Sequence, residues 1–454
     1  MWVPDGKNSA KITIYFPAKT QYNGEKDIME VFHMDKLNHR KAKKAIRLTD
    51  AQGKPVAGQT VRCKLVNHEF LFGCGAFESL PYANICLPGG VTPPAGMPGH
   101  KPDPARLEDR MAKWLGLFNY GTLPFYWGRF EPEEGKPRTE EYLRASEFLR
   151  SKDVAVKGHP LCWQTAGAQW LLQYDNDTIL RKQLERIYRD VRDFKGLVDM
   201  WDVINEVVIM PIYDKYDNAA TRLCKMLGRV KLIKTVFDAA HETNPDAQLL
   251  LNDFNLSTNY EILIDGCLNA GTPIHTIGLQ SHQHQGIWGR EKADAILARF
   301  EHFGLPLHFT ENTIVAGPLV APEIDDLQDA HYDDDAATPE YEAMQAEALV
   351  DMYRNLFENH PLVTAITNWD FGDGAWLNAP SGVIRKDGSL KPSYHALHDL
   401  IHREWSTDVT LCTDENGVIE LEGFKGKYQL DCGALQGRVT LTAGAEGCET
   451  VVMQ

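Results

Sequence analysis

Two glutamates stand where a carboxylate can do chemistry. Glu206 closes the run Trp201-Asp202-Val203-Ile204-Asn205-Glu206, and Glu311 closes Leu307-His308-Phe309-Thr310-Glu311. Both runs are short and largely apolar, the pattern of a strand buried on both faces. Cleaving a glycosidic bond needs a proton on the leaving oxygen and a nucleophile or stabiliser at the oxocarbenium-like centre. Two carboxyls serve if one stays protonated near neutral pH while the other stays ionised. A retaining mechanism needs them about 5–5.5 Å apart.

Other strand ends supply a matching set. His159 and Trp163 follow one apolar segment, Asn205 precedes Glu206, and Asn252 and Asn255 follow another. Gln280 and His282 come next, then Trp369 and Trp376. Asn205 is placed to bond a sugar 2-hydroxyl and His282 to orient the nucleophile. Trp163, Trp369 and Trp376 offer flat apolar faces for pyranose rings. Taken singly, a glutamate at a strand end is more often solvated or ion-paired, and a tryptophan there is more often core. Their coincidence on one rim is the argument. The strand ends lack the Lys or Arg clamp of phosphate chemistry. His282 and His284 form an H-x-H pair, which can bind a metal. The pair follows the sixth strand, without the lysine of metal-dependent barrel hydrolases, so no metal and no cofactor is expected.

What must position these groups is a repeating scaffold. Eight short apolar segments begin near residues 70, 117, 155, 198, 248, 275, 307 and 363. Helical stretches separate them. One carries Leu180, Leu184, Ile187 and Val191 after Asp177; another carries Leu223, Met226, Leu227, Val230, Ile233 and Phe237 on one stripe. Eight strands alternating with helices predict an α/β fold, a (β/α)8 barrel with its site on the C-terminal rim. A doubly wound open sheet is the rival, but no G-x-G-x-x-G or phosphate loop follows any strand.

Three regions follow. Residues 1–67 read as β-rich, with strand signals at Ile12–Phe16, Lys44–Leu48 and Val61–Val66. Residues 68–404 hold the barrel. Residues 405–454 read as a small β module, a cap on the barrel in preference to a glycan-binding unit. Two long insertions, the Pro- and Gly-rich 79–108 and the acidic 316–339, follow barrel strands. Each reads either as a cleft wall or as a solvated flexible loop.

Among 454 residues, 43% are hydrophobic, enough for a large core plus a smaller module. The net charge of -16 disfavours nucleic acid and anionic membranes as partners. No run of 18 apolar residues marks a membrane span. The first residues show no signal-peptide pattern, which leaves a cytoplasmic protein or one from which a signal has been removed. The nine cysteines lack C-x-x-C pairs. Most read as buried thiols, and two of Cys412, Cys432 and Cys448 are candidates to pair.

Six segments, in order, resemble glycoside hydrolase family 10, best known for endo-β-1,4-xylanases. Trp201–Glu206 is similar to its W-D-V-x-N-E acid/base signature, and Phe309-Thr310-Glu311 to its T-E nucleophile segment. Gly158–Trp163 is similar to G-H-x-L-x-W, Asn252–Asn255 to N-D-Y-N, and Gly278–His282 to G-L-Q-S-H. Trp369 and Trp376 sit where its two late tryptophans fall. The resemblance implies retaining double displacement on a polysaccharide of xylan type, with Glu311 as nucleophile and Glu206 as acid/base. There are departures. The family's E-N-E-M-K-W, which grips sugar on the non-reducing side, is Thr122–Trp127 here, and of it only Trp127 remains. Its second histidine in W-H-S-Q is Gln164, and the L-D after the nucleophile is Asn312-Thr313. Either Phe125 and Tyr126 make a more apolar sugar site, with Tyr126 and Trp127 touching substrate, or the 79–108 loop supplies replacement contacts.

Overall fold

A computed structural model describes residues 36–90, 103–444 and 447–454. The strand signal at Ile12–Phe16 lies outside them. Eight strands close into a parallel barrel: β3 (Leu71–Gly75), β4 (Tyr120–Pro124), β5 (Ala155–His159), β6 (Met200–Asn205), β7 (Gln248–Asp253), β8 (Thr276–His282), β9 (Leu307–Thr313) and β10 (Val363–Asn368), with β10 returning to β3. Each of the eight expected segments overlaps a barrel strand, though the second, Leu117–Tyr120, reaches β4 only at Tyr120. They read as unbroken apolar runs because helices cover the sheet outside and side chains fill it inside.

The helices explain themselves locally. Asp175 caps the helix Asn176–Asp193 by accepting from the Thr178 N–H at 2.8 Å, and Ile187 and Val191 are fully buried. The stripe from Leu223 to Phe237 is not one helix but two, Ala219–Leu227 and Arg229–Thr243. Gly228 separates them with φ of +77°, a conformation that costs other residues. The apolar period runs straight through the break, which is why periodicity alone misses it. Met226, expected in the stripe, is exposed.

The chain ends build two further sheets together. β1 (Lys41–Thr49) lies between β12 (Val418–Phe424) and β15 (Cys448–Val452). β2 (Thr60–His68) lies between β11 (Asp408–Cys412) and β13 (Gly426–Cys432), with β14 (Leu435–Leu441) outside β13. β2 runs directly into β3, so this unit sits at the N-terminal end of the barrel, away from the rim that carries sites. Phe70, Phe72, Phe357, Trp405 and Phe424 pack together at the junction.

No two of Cys412, Cys432 and Cys448 pair; all nine cysteines are free thiols. β2 separates Cys412 on β11 from Cys432 on β13, two strand spacings or about 9–10 Å apart, beyond the reach of a disulfide. Cys448 lies in the other sheet. Among the described residues, no helix is long and apolar enough to cross a membrane. The acidic insertion 316–339 is anchored at Tyr332, buried with Val315 and Ala379, while its Asp333-Asp334-Asp335 run is exposed. The other insertion, 79–108, contains the helix Ser79–Ile85 and the start of the helix Pro104–Leu115; its segment 91–102 lies outside the described residues.

Candidate active site

Glu206 and Glu311 each sit just where a strand turns over the barrel mouth. Their φ values are +59° and +54°, a region that non-glycine residues enter rarely and at some cost. Register shifts interrupt the pairing of β6 with β7, of β8 with β9 and of β9 with β10 near the same rim. Such bulges re-aim side chains. Here they accompany two carboxyls pointed inward, with Glu311 only 5% exposed.

A continuous hydrogen-bond network joins the two. Trp163 Nε1 donates to Glu206 Oε2 at 2.8 Å and Gln164 Nε2 donates to the same oxygen at 2.9 Å. Asn205 Nδ2 and Gln280 Nε2 face Glu206 Oε1 at 3.2 and 3.4 Å. Asn205 Oδ1 accepts from Gln280 at 3.1 Å and from Asn252 Nδ2 at 2.9 Å. The Asn252 amide also donates to Glu311 Oε1 at 2.7 Å, while Thr310 donates to its oxygen at 2.6 Å. Gly278 makes room for this amide: a Cβ there would stand 2.4 Å from Asn252 Oδ1. His282 Nε2 lies 3.3 Å from Glu311 Oε2, and its Nδ1 lies 3.2 Å from the Thr313 hydroxyl.

The two carboxyls feel opposite fields. Burial, and then the Glu311 charge, push Glu206 up to about 8 against the Trp163 hydrogen bond. Burial would raise Glu311 too, but the His159 charge, the His282 hydrogen bond and charge, and Lys157 together hold it below its ordinary value. The underlying cation site is a buried triad. Asp202 Oδ2 lies 2.7 Å from both Lys157 Nζ and His159 Nδ1, and all three are fully buried. Despite burial, Lys157 and His159 hold Asp202 below the usual carboxylate range. Asp202→Ala leaves those groups unpaired in the core and is expected to cost about 3–5 kcal/mol in urea unfolding at neutral pH. Because the folded-state value is depressed, this contribution fades as acid protonates Asp202. An unchanged midpoint at neutral pH would remove the pairing role.

Aromatic rings wall the site. Tyr126 meets His159 and Trp163 at ring-centre distances of 5.9 and 5.7 Å. Trp369 packs edge-on to His159 and His282, and Trp376 lies 4.7 Å from His282. So ten of the eleven residues picked from sequence are the two glutamates, join them or touch a residue that does, Trp376 through His282; Trp127 stands apart. Its indole donates to Glu131 Oε2 at 3.0 Å, Arg186 covers its face, and Trp170 abuts its edge. Phe125 also turns away, into the core among Phe130, Tyr142 and Trp201. A helix begins at Trp127 and reorients the chain after β4.

Sequence reasoning gave no role to Asp202, Lys157, Asn252 or Gln164. A signal for the first two was available: Lys157 lies two residues before His159 in a buried strand, and a charge there demands a partner. Among the described residues, His282 and His284 belong to no cluster of three or more His, Cys, Asp or Glu side chains that could hold a metal. His282 faces Glu311 and Thr313, and His284 Nδ1 lies 3.1 Å from the Tyr332 hydroxyl. A chelator is therefore expected to leave hydrolysis unchanged; loss of activity restored by added divalent metal would overturn that expectation.

The model of glycosyl hydrolase family 10 matches residues 125–400. The chain belongs to this family. Endo-1,4-beta-xylanase A of Caldicellulosiruptor saccharolyticus is 29% identical to it over 259 residues, 53% of this chain and 71% of that protein. An anti-sigma-I factor, RsgI6 of Acetivibrio thermocellus, is 23% identical over 419 residues, 90% of this chain and 46% of that protein. Among solved structures, xylanase 10B of Thermotoga petrophila in complex with xylobiose superposes with a TM-score of 0.57 at 21% identity, covering 74% of this chain and 95% of that one. The family match covers both glutamates and the departures at Gln164 and Asn312-Thr313, and it begins inside the third, at Phe125. Where the resemblance has a carboxylate after the nucleophile, Thr313 gives His282 a neutral partner. Where it has a lysine after the second strand, Tyr126 gives a ring.

Proposed function

We propose that this family 10 glycoside hydrolase cuts β-1,4-linked glycans of xylan type with retention of anomeric configuration. The observation that carries the reading is the pair of strand-end carboxyls in one network with opposite electrostatic bias. In the first step Glu311 Oε attacks the anomeric carbon while Glu206 gives its proton to the departing glycosidic oxygen. The bond to the leaving sugar breaks and a glycosyl–Glu311 ester forms. In the second step Glu206, now a carboxylate, takes a proton from water, and the water oxygen displaces Glu311. Trp163 and Gln164 donate to the carboxylate form of Glu206 and so favour it between the steps. Asn252 and His282 hold Glu311 in the attacking orientation.

Substrate is expected to lie along Trp163, Tyr126, Trp369 and Trp376, with Asn205, His159 and Gln280 nearest the reacting sugar. The test is hydrolysis of β-1,4-xylan, arabinoxylan, mixed-linkage β-glucan and aryl β-xylosides, with Glu311→Gln as control. Release of xylo-oligosaccharides that the variant abolishes supports the reading. Glu311-dependent cleavage of other β-glycosides alone keeps the chemistry and replaces the substrate. A glycan-binding barrel without catalysis is the rival, and it predicts no hydrolysis in either protein.

A further inference from the structure

Two side chains outside the carboxyl network grip the backbone that follows Glu206. Arg229 opens the helix Arg229–Thr243, just past the break at Gly228. Its Nε donates to the Val207 carbonyl at 3.2 Å, and its Nε and Nη2 donate to the Val208 carbonyl at 3.1 and 2.6 Å. Asp253 ends β7 and is 1% exposed. Its Oδ2 accepts from the Val208 N–H at 3.0 Å and its Oδ1 from the Asn255 N–H at 2.9 Å.

The Val207 carbonyl and the Val208 N–H belong to one peptide group. In this trans peptide the two polar ends point in opposite directions, so Arg229 and Asp253 hold it from opposite sides. The peptide before Glu206 is tied as well, because the Glu206 N–H donates to the Asn252 carbonyl at 2.9 Å. Glu206 thus stands between anchored peptides. Its φ of +59° is costly for a non-glycine residue and persists only where the surroundings over-determine it. These anchors supply that constraint.

Both gripping residues suit the task. Among the described residues, the Arg229 guanidinium hydrogen-bonds to these two carbonyls and forms no ion pair. Its planar fork reaches two acceptors at once, which a lysine ammonium does poorly. Val207 and Val208 are buried, so water cannot replace a lost partner of the Val208 N–H. Trp163 and Gln164 hold the far end of the Glu206 side chain, and the bracket holds its near end.

We propose that Arg229 and Asp253 are positioning residues for proton donation: by fixing the peptide after Glu206 they aim its carboxyl at the leaving oxygen. The inference rests on the hydrolase reading above. The two residues act through Glu206 and are not themselves the proton donor.

The experiment measures kcat/KM, which reports the first chemical step, for aryl β-xylobiosides graded from a dinitrophenyl to an unsubstituted phenyl leaving group. The proteins are the parent, Arg229→Met, Arg229→Lys and Asp253→Asn. Arg229 is half-buried, and methionine keeps most of its stem, so Arg229→Met is expected to fold even if Asp253→Asn does not. Misplacing a catalytic group by about 1 Å can cost about 100-fold, so Arg229→Met should lose about 10- to 100-fold on the phenyl glycoside and less than about threefold on the dinitrophenyl one. The fall of log kcat/KM with leaving-group pKa should therefore be steeper than in the parent. Asp253→Asn should steepen it too, and Arg229→Lys should lie between the parent and Arg229→Met. A purely structural disturbance lowers every substrate by one factor and leaves the slope alone. A parent-like slope in folded Arg229→Met overturns the positioning role and leaves the hydrolase reading standing. If the folded parent cleaves neither this series nor any of the β-glycans named above, the hydrolase reading fails and the positioning role fails with it.

Discussion

Glu311→Gln is expected to abolish turnover while leaving glycan binding intact. Glutamine keeps the size of the side chain, and its carbonyl can still accept from Asn252, which donates to Glu311 Oε1 at 2.7 Å. What it loses is the nucleophilic carboxylate and the charge that faces His159 and His282. No ester to the sugar can then form. The loss should be about 10^4- to 10^6-fold in kcat, the range over which deleting one member of a covalent catalytic unit acts. Calorimetry with xylo-oligosaccharides gives the second reading, because binding should persist near the parent affinity. A variant that hydrolyses within tenfold of the parent would remove Glu311 from the chemistry.

Glu206→Ala should behave differently, and the difference identifies a general acid. For a polymer, whose leaving sugar needs a proton, kcat/KM should fall by about 10^2–10^4, the usual contribution of general acid–base catalysis. For a dinitrophenyl glycoside the phenolate departs unaided, so kcat/KM should change little. The second step still needs a base, so the glycosyl–enzyme should accumulate after a burst. The pH dependence follows with a definite sign. The proposed mechanism needs Glu206 protonated and Glu311 ionised. Parent activity should rise as Glu311 ionises below the ordinary glutamate value, hold through neutrality, and fall as pH passes about 8, where Glu206 loses its proton. The alkaline limb should vanish in Glu206→Ala on the activated substrate. If that limb remains, another group supplies the proton. Equal losses on both substrates would mean the substitution disturbed the site as a whole.

The parts legible in the sequence were those set by local pattern. Barrel strands are apolar on both faces, so Leu249-Leu250-Leu251 and its counterparts announce themselves, and polar residues at or just past the C-terminal part of each strand face the mouth. Glu206, Glu311, Asn205 and Gln280 follow from that rule. What stayed hidden depends on direction or on distance along the chain. Trp127 and Tyr126 are neighbours in sequence, yet the helix starting at Trp127 sends one ring under Arg186 and leaves the other against Trp163. Lys157 and Asp202 become partners only once β5 lies beside β6. Nothing near Lys215 foretells its ion pair with Asp326, because pairing at long range leaves no periodic trace. The break at Gly228 was masked by an apolar stripe that continues across it.

The interleaved sheets at the foot of the barrel bear on how the chain is made. β1 and β2 leave the ribosome more than 300 residues before β11 through β15, the strands that flank them. During that interval both carry unpaired backbone edges beside apolar faces such as Ile46, Leu48, Val61 and Cys63. Translation proceeds at about 5–20 residues per second, so the edges stay open for tens of seconds, long enough to recruit a wrong strand from another nascent chain. These late strands thus act as a closing clasp. The barrel can form ahead of them, but the molecule becomes safe from edge-to-edge association only when β11 through β15 have paired.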